Sequence, residues 1–284
     1  MLKPVTVPRI YYNYTMKPPF WIDTHCHIGM CLDRISESDL LKHASENGIG
    51  AMIDVGIDGK SNRDVIKRAE EHKVVFAAIG IHPHDSAKAT TEDMDFIAEN
   101  FSNPRVVAIG EIGLDYYRDY SPHDEQKQFF EVQLRFAVEN KMPVIIHSRK
   151  AWNDTIEIIK KVAAEGPVKG VFHCFGYGPE EAKICVDLGF YVSFPGSLTY
   201  EQSKKLQNTA KEIPMKHALI ETDAPFMIPA AFKKTAKDNL PGYVVETAKA
   251  FAHIREMKID ILKGLLYENA IKCFPKMASE LEKA

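Results

Sequence analysis

The stretch Phe20-Trp21-Ile22-Asp23-Thr24-His25-Cys26-His27 is an apolar lead-in that ends in two histidines at i and i+2. On an extended strand, residues two apart share a side. His25 and His27 can therefore present both imidazoles to one point. Neutral imidazole is a common ligand for a borderline metal ion. Taken alone, a His-x-His reads equally well as two ordinary polar residues at a strand end. Its weight comes from what recurs downstream.

The same unit, an apolar strand followed by a helical pattern, repeats along the chain. The spacing predicts strands over 51–56, 74–81, 106–112, 143–147, 170–175, 191–194 and 218–223. Helices are expected over 36–47, 62–72, 91–101, 123–140, 152–165, 179–188 and 201–211, with two more over 243–254 and 259–282. Ser36 and Thr91 suit helix starts and Gly48 a helix stop. The strands are continuous apolar runs, as expected when both faces are covered. Regular alternation of strand and helix means parallel strands with right-handed crossovers. Eight such units close a (β/α)8 barrel, the TIM-barrel architecture. A doubly wound open sheet is the alternative, but no G-x-G-x-x-G follows the first strand.

Composition narrows the classes. At 284 residues with 45% apolar content, the chain can bury a large core as one domain. We read 21–284 as that domain and 1–20, rich in Pro and Tyr, as an N-terminal extension packed on its outside. The extension has no continuous apolar h-region, and no run in the chain is long enough to span a bilayer. A net charge of −3 exerts no global pull on nucleic acid or membrane, so a polyanion would need a local basic patch. Five cysteines without regular spacing argue against a disulfide framework and for a reducing setting. A cytoplasmic location is expected, or a nuclear one in a eukaryote. No membrane association and no obligate protein partner are expected.

The strand ends carry the chemistry. The first ends in His25 and His27, the third in His82 and His84, the fourth in Glu111, the fifth in His147, the sixth in His173 and the eighth in Glu221-Thr222-Asp223. In a barrel these ends meet at one mouth. Such side chains within apolar runs are costly to bury unless paired or metal-bound. Four histidines with two carboxylates exceed what one tetrahedral zinc needs. They suit two divalent cations bridged by a carboxylate, about 3.5–4 Å apart. Cys26 and Cys174, each one residue from a histidine, are expected to point away from the site and pack. Asp23 is placed to orient a histidine from behind.

In order along the chain, Asp23-Thr24-His25-Cys26-His27, Gly80-Ile81-His82-Pro83-His84, Gly110-Glu111-Ile112-Gly113-Leu114-Asp115, Ile146-His147-Ser148-Arg149, His173-Cys174-Phe175-Gly176 and Glu221-Thr222-Asp223-Ala224-Pro225 resemble the TatD-family metal-dependent deoxyribonucleases. The likeness runs from about Trp21 to the C-terminus. It implies an amidohydrolase-type barrel in which His25, His27 and Asp223 hold one metal, His147 and His173 hold the second, and Glu111 bridges them. It also implies hydrolysis of DNA phosphodiesters, with 3′-to-5′ exonuclease action, using magnesium, manganese or zinc. After the eighth strand, where the family often has Arg-Gly-x-x-Asn-x-Pro, this chain keeps Asn239 and Pro241 but carries Lys233, Lys234 and Lys237. Lysine is a point charge and not a bidentate fork.

The resemblance makes DNA the expected substrate, with Asp223 and Glu111 as the catalytic carboxylates. His82, His84 and Arg149 are candidates for holding phosphate. Competing readings are a rigid His-Pro-His loop and an Arg149 paired with a carboxylate on its own helix. Lys233, Lys234 and Lys237, with Lys204-Lys205, are candidates for a local basic patch. The alternative function is an amidohydrolase-type metal hydrolase acting on a small amide or ester, since a metal pair can also polarise a carbonyl. An open groove with lysines favours a polymer; a small closed pocket favours a metabolite.

Overall fold

The structure is a computed structural model and describes residues 17–283. The expectation for the N-terminal extension therefore lies, for residues 1–16, outside the described residues. Eight parallel strands form one sheet in sequential order: β1 (Trp21–Cys26), β2 (Ile49–Val55), β3 (Val75–Ile79), β4 (Val106–Asp115), β5 (Val144–Arg149), β6 (Gly170–Phe172), β7 (Tyr191–Phe194) and β8 (Ala218–Ile220). A parallel bridge between Cys26 and Ala224 joins the last unit back to the first. The His27 amide donates to the Ala224 carbonyl at 2.7 Å and the Asp223 amide to the His25 carbonyl at 2.9 Å. The fold is a single (β/α)8 barrel.

The continuous apolar runs conceal an alternation, interrupted in β4 where Val107 and Ala108 fall in the same cluster. Ile22, Ala51, Ile53, Phe76, Ala78, Ala108, Ile145, Val171 and Leu219 belong to one buried cluster. Their strand neighbours Trp21, Met52, Val75, Ala77, Ile109, Ile146 and Phe172 belong to another, with the helices. This is the period-two signature of a sheet buried on both sides, with the first set filling the barrel. Phe20 joins the interior set, edge-on to Tyr267 at 5.2 Å, together with Phe274 and Met277. Its ring lies so close to Gly50 that a Cβ there would sit 2.3 Å from it, which is why that strand position has no side chain.

Several boundaries differ from expectation for local reasons. The predicted 259–282 helix is two helices, Ile259–Cys273 and Pro275–Leu281. Proline cannot continue the amide ladder and drives the preceding residue out of helical space; Phe274 has φ −120° and ψ 75°. β3 stops at Ile79, and His82 instead begins a short 3-10 turn, Pro83–Lys88. β4 runs past the predicted end at Ile112 to Asp115. There Gly113, at φ +144°, lets the strand approach β5 so closely that a Cβ would lie 1.9 Å from the His147 carbonyl oxygen.

Candidate metal centre

Every strand-end histidine and carboxylate picked out in the sequence is drawn to the C-terminal mouth of the barrel. His25 is the penultimate residue of β1, with its ring buried, and His27 follows the strand as the cap of a four-residue helix, Ile28–Cys31. Their Nε2 atoms lie 3.2 Å apart, and His27 Nδ1 is fixed by the Val55 carbonyl at 2.9 Å. Asp223 Oδ1 lies 3.8 Å from His25 Nε2 and 3.7 Å from His27 Nε2. On the other side, His147 Nδ1 and His173 Nε2 approach to 3.2 Å.

Glu111 stands between these two sets. Its Oε2 faces His25 at 3.4 Å and His27 at 3.6 Å. Its Oε1 faces His147 at 2.8 Å, His173 at 2.6 Å and His82 at 3.3 Å. One carboxylate thus offers one oxygen to each histidine group. Burial would raise its pKa, but the surrounding histidines, His173 and His82 foremost, outweigh burial and hold it well below the usual carboxylate range. Asp223 goes the other way: burial pushes it up, against the pull of His173, His25 and His27.

His82 is buried beneath the rim. Its ring nitrogen, a Glu111 oxygen and a His147 nitrogen lie mutually within 4.8 Å, and burial lowers its pKa to about 4, which keeps the ring neutral at neutral pH. His84 lies further out, with Nε2 2.9 Å from Asp115 Oδ2. Arg149 is exposed and stacks its guanidinium 3.9 Å from the centre of the Tyr117 ring; it makes no ion pair with a carboxylate of its helix among the described contacts.

Two residues with no assigned role in the sequence are part of the centre. Asp115 is fully buried and its Oδ2 also lies 3.1 Å from His147 Nε2. Burial opposes its ionisation, but the bonds from His147 and His84 win and depress its pKa. Glu221 lies behind the site, with Oε1 3.6 Å from His173 Nδ1 and accepting from the Cys174 amide. Asp115 could be found by period two, since it follows Glu111 by four within β4; Glu221 lies past the end of β8, where alternation no longer applies.

Two expectations are overturned. Cys174 does not point away: it lines the mouth and its thiol lies beside the Asp223 carboxyl. β6 has already ended at Phe172, and Cys174 takes φ +40°, so strand alternation no longer sets its direction. Asp23 orients no imidazole. It accepts from the Thr222 amide at 2.8 Å and the Thr222 hydroxyl at 2.5 Å, clamping β1 to the segment after β8. Cys26 packs as expected, fully buried with its thiol on the Ile53 carbonyl.

The donor set fits divalent cations. Imidazole nitrogens 3.2 Å apart converge lone pairs on common points beside the Glu111 and Asp223 carboxylates. Mixed nitrogen and oxygen donors at an open mouth are those of a catalytic site rather than a closed structural one. The mouth opens into a cavity of about 1010 Å³ whose rim carries Arg118, Arg149, Lys205 and Lys233. Lys204, Lys234 and Lys237 do not line it.

A parallel barrel with this centre defines the class of metal-dependent hydrolases. The family model described as TatD related DNase matches residues 22–275, and the chain belongs to the TatD family. It is 38% identical over 252 residues to an uncharacterized metal-dependent hydrolase, YabD, of Bacillus subtilis, covering 89% of this chain and 98% of that one. It is 33% identical over 220 residues to a protein named 3′-5′ ssDNA/RNA exonuclease TatD from Citrobacter koseri, covering 76% and 84%. The crystal structure of YJJV, a TatD homolog of Escherichia coli, superposes with a TM-score of 0.82 at 27% identity, covering 90% of this chain and 98% of that one.

Proposed function

We infer that this chain hydrolyses DNA phosphodiester bonds as a 3′-to-5′ exonuclease, with two divalent cations (magnesium, manganese or zinc) at the mouth. The observation that carries this is Glu111, whose two oxygens face separate histidine groups. His25, His27 and Asp223 would hold one cation, His147 and His173 the other, and Glu111 would bridge. His82 stands close enough to join the second group. When bound, such cations acidify a water and offset charge on the non-bridging phosphate oxygens.

The chain's own groups do the rest. Asp223 turns Oδ1 to the His25–His27 pair, which leaves Oδ2 to take the water's proton as general base. His84 and Arg149, with His82 beneath them, contact the phosphate. Lys205 and Lys233 add backbone contacts from the opposite rim. The large open mouth, with Arg118, Arg149, Lys205 and Lys233 among its lining, supports a polymer over a small amide or ester. The five cysteines are free thiols, which accords with a reducing, cytoplasmic setting. Among the described residues no helix is long and apolar enough to cross a membrane.

Labelled single-stranded and 3′-overhang DNA, incubated with Mg²⁺, Mn²⁺ or Zn²⁺, tests this reading. The expected result is a ladder of 3′-shortened products that disappears with EDTA and in His173→Ala. If protein carrying two metal equivalents cleaves no DNA, the small amide or ester becomes the substrate class to screen.

A further inference from the structure

The cavity has two exposed aromatic walls that the hydrolytic chemistry does not need. Met30, Tyr120, Phe226 and Met227 are each more than a third exposed, and all line it. Tyr120 follows β4 and Phe226 follows β8. In a ring of eight sequential strands those two are four strands apart in either direction, so the two side chains rise on opposite walls of the mouth. Each rests edge-to-face on a histidine of the centre: Tyr120 on His84 at 4.8 Å, Phe226 on His27 at 6.3 Å.

Both are held in place although their rings are open. Tyr120 is 60% exposed, and its hydroxyl accepts from Arg118 at 3.0 Å. Phe226 is 50% exposed, its amide donates to the Asp223 carbonyl at 2.7 Å, and its carbonyl accepts from the buried Asn239 amide at 2.7 Å. A fixed aromatic ring left open to a substrate-sized cavity is a platform for a flat ring on the substrate. Placed on both sides of the metal ligands, two such platforms call for a flat group on each side of the bond being cut.

Building on the phosphodiesterase reading, we propose that Tyr120 and Phe226 are specificity residues that each stack on one nucleobase, gripping the two bases that flank the scissile phosphate. Every base has a π-face, so this grip is tolerant of sequence. It requires unstacked bases, so duplex ends must fray before they enter. It also sets a minimum substrate: a base on each side of the bond.

Short single-stranded oligonucleotides in which one flanking base or the other is replaced by an abasic residue test this on the metal-loaded full chain. Base–aromatic stacking at about 1–3 kcal/mol per base corresponds to roughly a 5- to 150-fold change. Wild type should lose that much kcat/KM on removal of either base. Phe226→Ala should lose a similar factor on the intact oligonucleotide and little more when the base it serves is already gone; Tyr120→Ala should do the same for the other side. Phe226→Tyr and Tyr120→Phe should restore most of the loss. A second readout is 2-aminopurine at each flanking position, whose fluorescence should fall on mixing with wild type before turnover but not with the matching alanine variant. Equal losses on intact and abasic substrates, or no loss, in variants that melt like wild type would overturn the assignment. Absence of cleavage of any oligonucleotide by wild type would instead remove the phosphodiesterase reading and this one with it, a different result from cleavage indifferent to Tyr120 and Phe226.

Discussion

His147 Nε2 lies 3.1 Å from Asp115 Oδ2, while the Nδ1 atom of the same ring lies 2.8 Å from Glu111. One imidazole is therefore held between a buried outer carboxylate and the carboxylate at the heart of the site. Such an outer partner fixes the tautomer and the tilt of a ligand ring. Asp115 is itself held by the Tyr117 and Arg118 amides at 2.8 and 2.9 Å, so it cannot follow a moving ring. Asp115→Asn keeps the shape and removes the charge. Metal affinity should fall about 10- to 100-fold, the usual scale for an outer partner. Metal titration of the folded variant checks this, and unchanged affinity would show that Asp115 serves only the loop.

Removing metal should soften the whole barrel. The mouth buries Glu111, Asp223, His25, His27 and His173 within a few ångströms of one another. Ligands that bind only the folded state stabilise it by about 2.7 kcal/mol at a hundred times Kd. For a chain of this size that is a rise in Tm of roughly 4–5 °C for each cation bound. Thermal melts of EDTA-stripped protein, with and without added Mn²⁺ or Zn²⁺, should show it. The same experiment on His173→Ala should give a smaller rise.

Asn239 decides the shape of the loop that carries Asp223. Its buried amide donates to the carbonyls of Thr222 at 2.8 Å and Phe226 at 2.7 Å, with Met227 at 3.3 Å. Asp223 and Met227 both have positive φ, at 54° and 53°. Non-glycine residues in that region cost on the order of 1–3 kcal/mol each and persist where their surroundings hold them. Asn239→Ala removes the holder and strands the buried Thr222 carbonyl, worth about 1–3 kcal/mol, together with the half-buried Phe226 carbonyl. We expect a destabilisation of about 2–4 kcal/mol in denaturant titration, with turnover falling further than stability alone would require. Wild-type kcat in this variant would show that the loop holds itself.

His43 gives a pH dependence separate from the mouth. Its ring packs edge-on to Tyr243 at 5.0 Å and its Nδ1 is buried without a partner. Burial lowers its pKa below the free value of 6.5, with Glu46 opposing weakly. A lowered histidine favours the neutral form in the folded state. Its contribution is therefore complete above pH ~6.5 and declines as the pH falls through that value. In metal-loaded protein, Tm should drop between pH ~7 and ~5.5 more steeply for wild type than for His43→Gln. Parallel curves would remove His43 as a source of acid sensitivity.

Periodicity and strand-end chemistry were enough to write down the barrel and most of the side chains gathered at its mouth. Eight apolar runs alternating with amphipathic helices admit few topologies, because parallel neighbours need crossovers of one hand. His25, His27, Glu111, His147, His173 and Asp223 were legible because a buried polar residue at the end of an apolar run is costly without a partner. Asp115 was quoted in a motif without a role because β4 was ended three residues early, and a strand's length is set by its neighbours.

Only the tertiary structure decided directions and distances. It turned Cys174 into the site, since a positive φ past a strand end is fixed by packing and not by residue type. It split the Glu111 oxygens between two histidine groups, because that depends on how five strands converge. It moved Asp23 from a supposed ring partner to the clamp between β1 and the segment after β8, because ring closure brings residues about 200 positions apart into hydrogen-bond contact. And it set Tyr120 and Phe226 on facing walls, a relation between β4 and β8 that exists only once the sheet has closed.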